Sequence, residues 1–356
     1  MTALGSLGCL LVGSALPLGA LALVLRRGWR QFGVSDAYQQ VARQLGLWAD
    51  TRGISVHGQL GDRRIWVGEV LVGHGPRRRT ETWGLVDLER PLGLGLRVAG
   101  KGLFRRARGI PLQEEVARRL VATAEDPALG ERLLRDDVQG AIARLAGTWR
   151  DLEVTDDVVR VRLAEPEASP ARLRMLVDAM LDLAVRLEAS RAELPAPAGI
   201  APSLPAWQTL AARLDLRFDP RYPALEAELA GRRVRAIARW TARGWCTDLR
   251  LWFRPHDATG LRIFAQRAPD GYWSVGQDVP LGDPEFDRLF VVKAWDPLWV
   301  ADALVADARA ALIALRDDTD LEVDDHAVVV RDLPNDPEGL PGRLERMVAL
   351  ADALGW

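Results

Sequence analysis

Lysine is nearly missing from this chain of 356 residues: Lys101 and Lys293 are the only two, and arginine carries the rest of the positive charge. The arginines are scattered over every segment, beside abundant Ala, Leu, Val, Gly and Asp. That reads as GC-rich codon bias rather than as guanidinium forks chosen for anions. Cysteine is scarce as well. Cys9 lies in an apolar N-terminal stretch and Cys246 stands alone beyond it, so no intrachain disulfide framework can form there. The four histidines, His57, His74, His256 and His326, have no second ligand at zinc-like spacing. There is no G-x-S-x-G elbow, and no histidine neighbours Cys246 in sequence. A net charge of −2 removes any general reason to expect nucleic acid as a partner. What is present is an ordinary globular mix, 48% apolar and 27% charged, in a chain long enough for two or three domains.

One apolar run breaks the pattern. Residues 3–25 carry no charge and as a helix would span about 34 Å, enough for a bilayer core of about 30 Å. Pro17 and several glycines lie inside it, which membrane helices tolerate. Arg26, Arg27 and Arg30 follow, with Trp29 at the expected interface. A cleaved secretory signal needs its basic residues before the apolar run, and here they come after it. A lipoprotein signal ending at Cys9 has no room for an apolar region upstream. Residues 1–30 are therefore expected to be a retained transmembrane anchor in the inner membrane. The positive-inside rule places the body in the cytoplasm.

The rest reads as one unit written twice. Tyr38 to Leu47 matches Trp207 to Leu216 at an offset of 169 residues. The same offset pairs Arg63-Arg64-Ile65 with Arg232-Arg233-Val234, and Ile110-Pro111-Leu112 with Val279-Pro280-Leu281. It also pairs Asp151-Leu152-Glu153-Val154 with Asp320-Leu321-Glu322-Val323. Between these anchors the offset drifts by a few residues: Leu96-Arg97-Val98 meets Leu261-Arg262-Ile263, and Asp126-Pro127 meets Asp296-Pro297. The expected domains are residues 33–192 and 204–356. Residues 193–203, with Pro195, Pro197 and Pro202, form a semi-extended linker between them.

Periodicity gives each unit an opening helix, four strands, an ambiguous element, a helix, a hairpin and a last helix. In the first unit the strands are near 54–60, 63–72, 80–88 and 94–99. In the second they are near 224–230, 233–241, 246–254 and 260–267. The ambiguous element reads as a strand over 286–293 and as a helix over 115–123. The middle helices are expected at 127–146 and 297–315, the hairpins at 151–163 and 320–331, and the last helices at 170–190 and 341–354. Adjacent hairpins imply an α+β class: two tandem repeated domains, each an antiparallel sheet packed with helices, after the one transmembrane helix.

The passage Gly282-Asp283-Pro284-Glu285-Phe286-Asp287, continuing to Phe290 and Val292, resembles one in a loose group of uncharacterised bacterial membrane-anchored proteins. In that group a short membrane segment precedes an α+β domain. The resemblance covers mostly residues 280–331 and implies architecture, with no activity attached. The first unit departs from it, carrying Gln113-Glu114-Glu115-Val116 at the matching place.

Four constellations invite a chemical reading, and each has a plainer one. Gly95 to Gly102 has the spacing of a phosphate loop. However, Gly102 stands where Ser or Thr would hold magnesium, and the stretch itself reads as a strand. Asp151, Glu153, Asp156 and Asp157, recurring as Asp317, Asp318, Asp320, Glu322, Asp324 and Asp325, could bind a hard cation; alternation with Leu152, Val154, Leu321 and Val323 makes them the wet face of a hairpin. Thirteen tryptophans, among them Trp240, Trp245, Trp252, Trp273, Trp295 and Trp299 in the second unit, read as core filling before an aromatic groove. In the first unit Trp48, Trp66 and Trp83 fall opposite Arg217, Arg235 and Asp248. Arg77, Arg78 and Arg79, with Lys101, Arg105, Arg106 and Arg108, read as solvated loops or as a contact to anionic lipid. No residue is assigned a catalytic, cofactor-binding or metal-binding role. The sequence points to a membrane-anchored interaction protein with a protein partner or the membrane face. A hydrolase with a site assembled in space and an envelope structural protein are the alternatives.

Overall fold

Alternating apolar and polar residues at period two build two antiparallel sheets in this computed structural model. It describes residues 36–50, 55–72, 78–101, 109–149, 151–241, 244–254, 259–266, 277–294, 297–316 and 320–356. The expected membrane segment lies outside the described residues. Among the described residues, no helix is long and apolar enough to cross a membrane.

The first sheet has eight strands. They are β1 (Trp48–Asp50), β2 (Ser55–Leu60), β3 (Arg63–Val72), β4 (Arg79–Asp87), β5 (Arg97–Gly100), β6 (Leu120–Thr123), β7 (Asp151–Thr155) and β8 (Val158–Leu163), in spatial order β1-β2-β3-β4-β8-β7-β5-β6. The second has nine: β9 (Arg217–Asp219), β10 (Ala224–Leu229), β11 (Arg232–Thr241), β12 (Gly244–Trp252), β13 (Arg262–Ala265), β14 (Gln277–Asp278), β15 (Phe290–Ala294), β16 (Asp320–Asp324) and β17 (Ala327–Pro334). Their order is β14-β15-β13-β16-β17-β12-β11-β10-β9. Leaving aside β14, the two orders are the same path through eight strands.

The registers agree as well. Ser55 faces Gly68 and Leu60 faces Arg63; 169 residues on, Ala224 faces Ile237 and Leu229 faces Arg232. Trp48 faces His57 as Arg217 faces Glu226. Val98 lies between Ala122 and Val154 as Ile263 lies between Val292 and Val323. A slip of one residue would turn every buried side chain to the wrong face. Matched registers across four strand pairs are therefore a demanding form of likeness, and two similar α+β domains are shown.

The helices are α1 (residues 36–45), α2 (Glu114–Ala117), α3 (Pro127–Leu133), α4 (Asp136–Thr148), α5 (Pro170–Ala192), α6 (Leu204–Leu214), α7 (Pro284–Leu289), α8 (Pro297–Ala303), α9 (Ala306–Arg316) and α10 (Leu340–Ala353). The opening helices α1 and α6 end alike, on left-handed Gly46 and Asp215. Three expectations need correction. The ambiguous element is a short helix leading into a strand in both halves, α2 into β6 and α7 into β15. Asp283 caps α7 by accepting from the Glu285 and Phe286 amides, so 286–289 is helix rather than strand. The middle helix is split in both halves. In the first, Leu134 leaves helical geometry and Asp136 and Asp137 open a new N-terminus. The expected semi-extended linker carries a 3-10 turn, Ala198–Ser203, with Ile200 fully buried in the second core.

By backbone proximity the described residues part into two compact units, those from 36 to 85 with 162–179, and those from 86 to 161 with 180–356. In the first, Tyr38, Val41, Val56, Ile65, Trp66, Val67 and Trp83 are buried. Thr82 is tied from two sides there, its hydroxyl contacting the Tyr38 hydroxyl at 3.5 Å and accepting from the Glu167 amide at 2.8 Å. In the second unit the inner face of the nine-stranded sheet, with Val234, Ala236, Leu249, Leu251, Ile263 and Val330, packs on Trp207, Leu312 and Met347 from the helices. Trp356 is buried against Phe253 and stacked on Trp299, and its carbonyl accepts from the buried Arg232.

Candidate functional site

Burial of polar groups is costly, so where a fold buries them identifies what it holds most firmly. In the second unit three arginines, Arg191 and Arg235 buried and Arg239 partly buried, gather loops around the face of the nine-stranded sheet opposite its apolar core.

Arg191, near the end of α5, is 1% exposed. Its guanidinium has carbonyl acceptors rather than a carboxylate. Nε donates to Leu92 O at 2.6 Å, NH1 to Leu194 O at 3.3 Å and Pro195 O at 3.5 Å, and NH2 to Arg221 O at 3.0 Å. Its face lies 4.6 Å from the centre of the Tyr222 ring. Tyr222 forms a small buried cluster with Ala224 and Ile237. Burial pulls the Arg191 pKa down, and the Tyr222 environment opposes that.

Arg235, on β11, pairs with Glu226 at 3.0 Å and donates to Glu89 O at 2.7 Å. Glu226 also holds Arg90 at 2.8 Å, so one carboxylate ties two arginines 145 positions apart. The Glu89 and Arg90 amides point at Glu188 of α5. Arg239, two turns of the pleat further on, meets Asp248, Asp332 and Asp157 at 2.5, 2.6 and 3.4 Å.

The Asp156-Asp157 turn is where the first half's hairpin touches this group. The Asp156 carboxylate accepts from the Gly95 and Leu96 amides at 2.7 and 2.9 Å. The second half repeats the device: Asp325 accepts from Thr259, Gly260 and Leu261 amides. Likewise the Leu88 amide donates to Asp157 O and the Phe253 amide to His326 O, both at 2.8 Å. The acidic hairpin of both halves therefore closes a loop onto the sheet. Among the described residues no group of three or more His, Cys, Asp or Glu is arranged to hold a metal ion.

Only one of the paired clamps is deeply buried. Asp156 is 4% exposed, and burial pushes its pKa up to about 7; the Asp157 charge adds to the rise and the Leu96, Gly95 and Leu94 amides oppose it. In the unfolded chain an aspartate titrates near 3.9. Between about pH 4 and about pH 7 the native state keeps a proton that the unfolded chain has lost. The Asp156 contribution is therefore full below that window and is lost as pH rises through it. The unfolding free energy should fall with rising pH by up to ~1.4 kcal/mol per unit there. Urea titrations between pH 4.5 and 8.5 check this: Asp156→Asn should remove that part of the slope, and an unchanged slope would refute the assignment.

The other sequence candidates resolve in place. The phosphate-loop spacing is occupied by β5, and the Gly95 amide is spent on Asp156. Cys246 is a buried free thiol beside Thr241, 3.4 Å from its hydroxyl. His57 sits within β2 and His326 in the β16–β17 turn; His74, His256 and Arg77 lie outside the described residues, as do Trp273, Trp295, Arg105, Arg106 and Arg108. Trp66, Trp83, Trp149, Trp207, Trp252 and Trp356 are buried, Trp252 against Arg233, Arg235 and Arg250, whereas Trp48 is exposed. Trp240 and Trp245 face each other across β11 and β12, ring centres 5.7 Å apart. They close over glycines: a Cβ at Gly95 would come within 2.7 Å of Trp240, and one at Gly199 within 2.7 Å of Trp245. Sequence reasoning missed the arginine group. Its one legible trace was the mismatch of Trp66 and Trp83 with Arg235 and Asp248: the second half carries charge where the first carries buried indoles.

No family model matches the chain, and no curated protein matches it. A solved structure with partial similarity is the crystal structure of the mycobacterial trehalose monomycolate transport factor A, TtfA. It shares 9% identity at a TM-score of 0.33 over 43% of this chain and 94% of that one, a likeness too slight to bear on fold or function.

Proposed function

We propose that the chain is a membrane-anchored, non-catalytic interaction protein, held at the inner membrane by residues 3–25 with its body on the cytoplasmic side. The observation that carries this reading is where the buried polar groups go. Arg191, Arg235 and Arg239 are each spent on joining loops of the first half to residues of the second, and Asp156 is spent on holding the Gly95 loop closed. An enzyme would aim its perturbed groups at a pocket. A scaffold that presents surface spends them on holding its shape.

Several apolar side chains are left on that surface, among them Leu71, Met175, Val185, Leu214 and Val305. Photo-crosslinking residues placed singly at these five positions in the full chain, in its own membrane, test the reading. A single protein or lipid adduct confined to neighbouring positions is expected. Absence of adducts at all five, or loss of a measured turnover on replacing one polar side chain in a folded variant, would contradict it. Carbonate extraction of the full chain tests the anchor: release into the supernatant removes the membrane part of the proposal.

A further inference from the structure

The Arg239 cluster carries more negative charge than its guanidinium can balance. Asp248 approaches from β12, Asp332 from β17 and Asp157 from the β7–β8 turn, all within 3.4 Å of Arg239 on β11. Arg331 of β17 and Asp87 at the end of β4 also act on the cluster. Arg331 is itself engaged, with Glu322 at 2.9 Å and Asp320 at 3.6 Å.

The backbone is shaped around this crowd. The β12–β17 register shifts between Thr247 and Leu249, so that Asp248 alone faces Arg331 and Asp332, a bulge in β17. Within it, Asp332 adopts a left-handed φ of 58° and donates its amide to Asp248 at 3.1 Å. Asp248 lies 2.5 Å from Arg239 Nε, yet that N–H is not aligned with any acceptor, so the contact is a charge pair rather than a good hydrogen bond. Asp157 and Asp332 keep more contact with water than Asp248 does, with side chains 46%, 32% and 13% exposed. Solvent screens the first two, so the excess charge is felt most at Asp248.

We propose that Arg239 with Asp157, Asp248 and Asp332 is a proton-operated latch, in which uptake of one proton by Asp248 tightens the hold of the Asp157 turn on β11 and β12. The step is plain acid–base chemistry: solvent supplies the proton, the Asp248 carboxylate becomes a carboxylic acid, and Arg239 is left shared by two carboxylates instead of three. Burial first, and then Asp157, push the Asp248 pKa up to about 6, against the pull of Arg239. The direction is the reverse of ordinary acid loosening: the latch closes as the pH falls from about 7 to about 5.

Hydrogen exchange of the full chain, corrected for the intrinsic pH dependence, reads the latch locally. Protection of peptides covering residues 239–248 should rise by up to about tenfold per pH unit as the pH falls through that window. Asp248→Asn should abolish the dependence there and leave it in place around residues 92–96, where Asp156 acts; Asp156→Asn should do the opposite. A wild-type slope surviving in Asp248→Asn overturns the proposal, and so does protection that weakens on acidification. Should Asp248→Asn fail to fold, the Asp248 carboxyl carbon is titrated by NMR in the wild type. A midpoint near 6 is expected, and one below about 4.5, close to an unperturbed aspartate, overturns it.

Discussion

Replacing Arg191 by methionine is expected to lower the unfolding free energy by roughly 3–5 kcal/mol, although the side-chain volume barely changes. The reason lies in what is left behind. Leu92, Leu194, Pro195 and Arg221 would lose the donor that now joins their carbonyls, and each stranded buried acceptor costs about 1 kcal/mol or more. Arg191→Lys should recover less than half of the loss, because an ammonium cannot span four acceptors that a planar fork reaches. Urea unfolding of residues 36–356 reads both variants. A loss below about 1 kcal/mol for the methionine variant would mean that water replaces the guanidinium and that the buried arginine is no keystone.

Trp207→Ala should be comparably severe, roughly 3–5 kcal/mol. Trp207 is completely buried in the second core and lies where the first half has Tyr38, also buried. Its indole N–H donates to Asn335 at 3.1 Å, and Asn335 in turn meets Thr247 and Ser203. Truncation therefore opens a cavity and loosens a polar network that fastens α6 to the β17 end. Trp207→Phe separates the two losses. It keeps most of the volume and should cost only about 1–2 kcal/mol, chiefly the hydrogen bond. Equal losses for the two variants would place the whole effect in the Asn335 network.

The pattern of these contacts explains how much could be read in advance. The duplication was legible because each half obeys the same short-range rules: Gly61 and Ala230-Gly231 turn the same hairpin, and Gly46 and Asp215 end the same helix. The acidic hairpin was read as a strand's wet face, yet Asp156, Glu322 and Asp324 are buried, and its task of clamping the Gly95 and Gly260 loops needed the two loops side by side. Three-residue edge strands such as β1 and β9 leave no periodic trace. The split of α3 from α4 was signalled by Asp136-Asp137 and overridden by continuous apolar spacing. Arg191 could not be found at all, since its acceptors come from residues 92, 194, 195 and 221 and no local rule joins them. The proline-rich stretch 193–203 looked like a spacer for the same reason: its composition is that of a linker, and only the packing of Ile200 and the carbonyls of Leu194 and Pro195 tie it down.

A crystal structure of residues 36–356 is the measurement that bears most directly on the claim that one α+β unit occurs twice and is joined through buried arginine. The expected result is β1–β8 superposing on β9–β13 and β15–β17 strand for strand, Ser55 opposite Gly68 where Ala224 is opposite Ile237, with Arg191 bonded to the Leu92 and Arg221 carbonyls. A different strand order in either half, or Arg191 turned out to solvent, would contradict it.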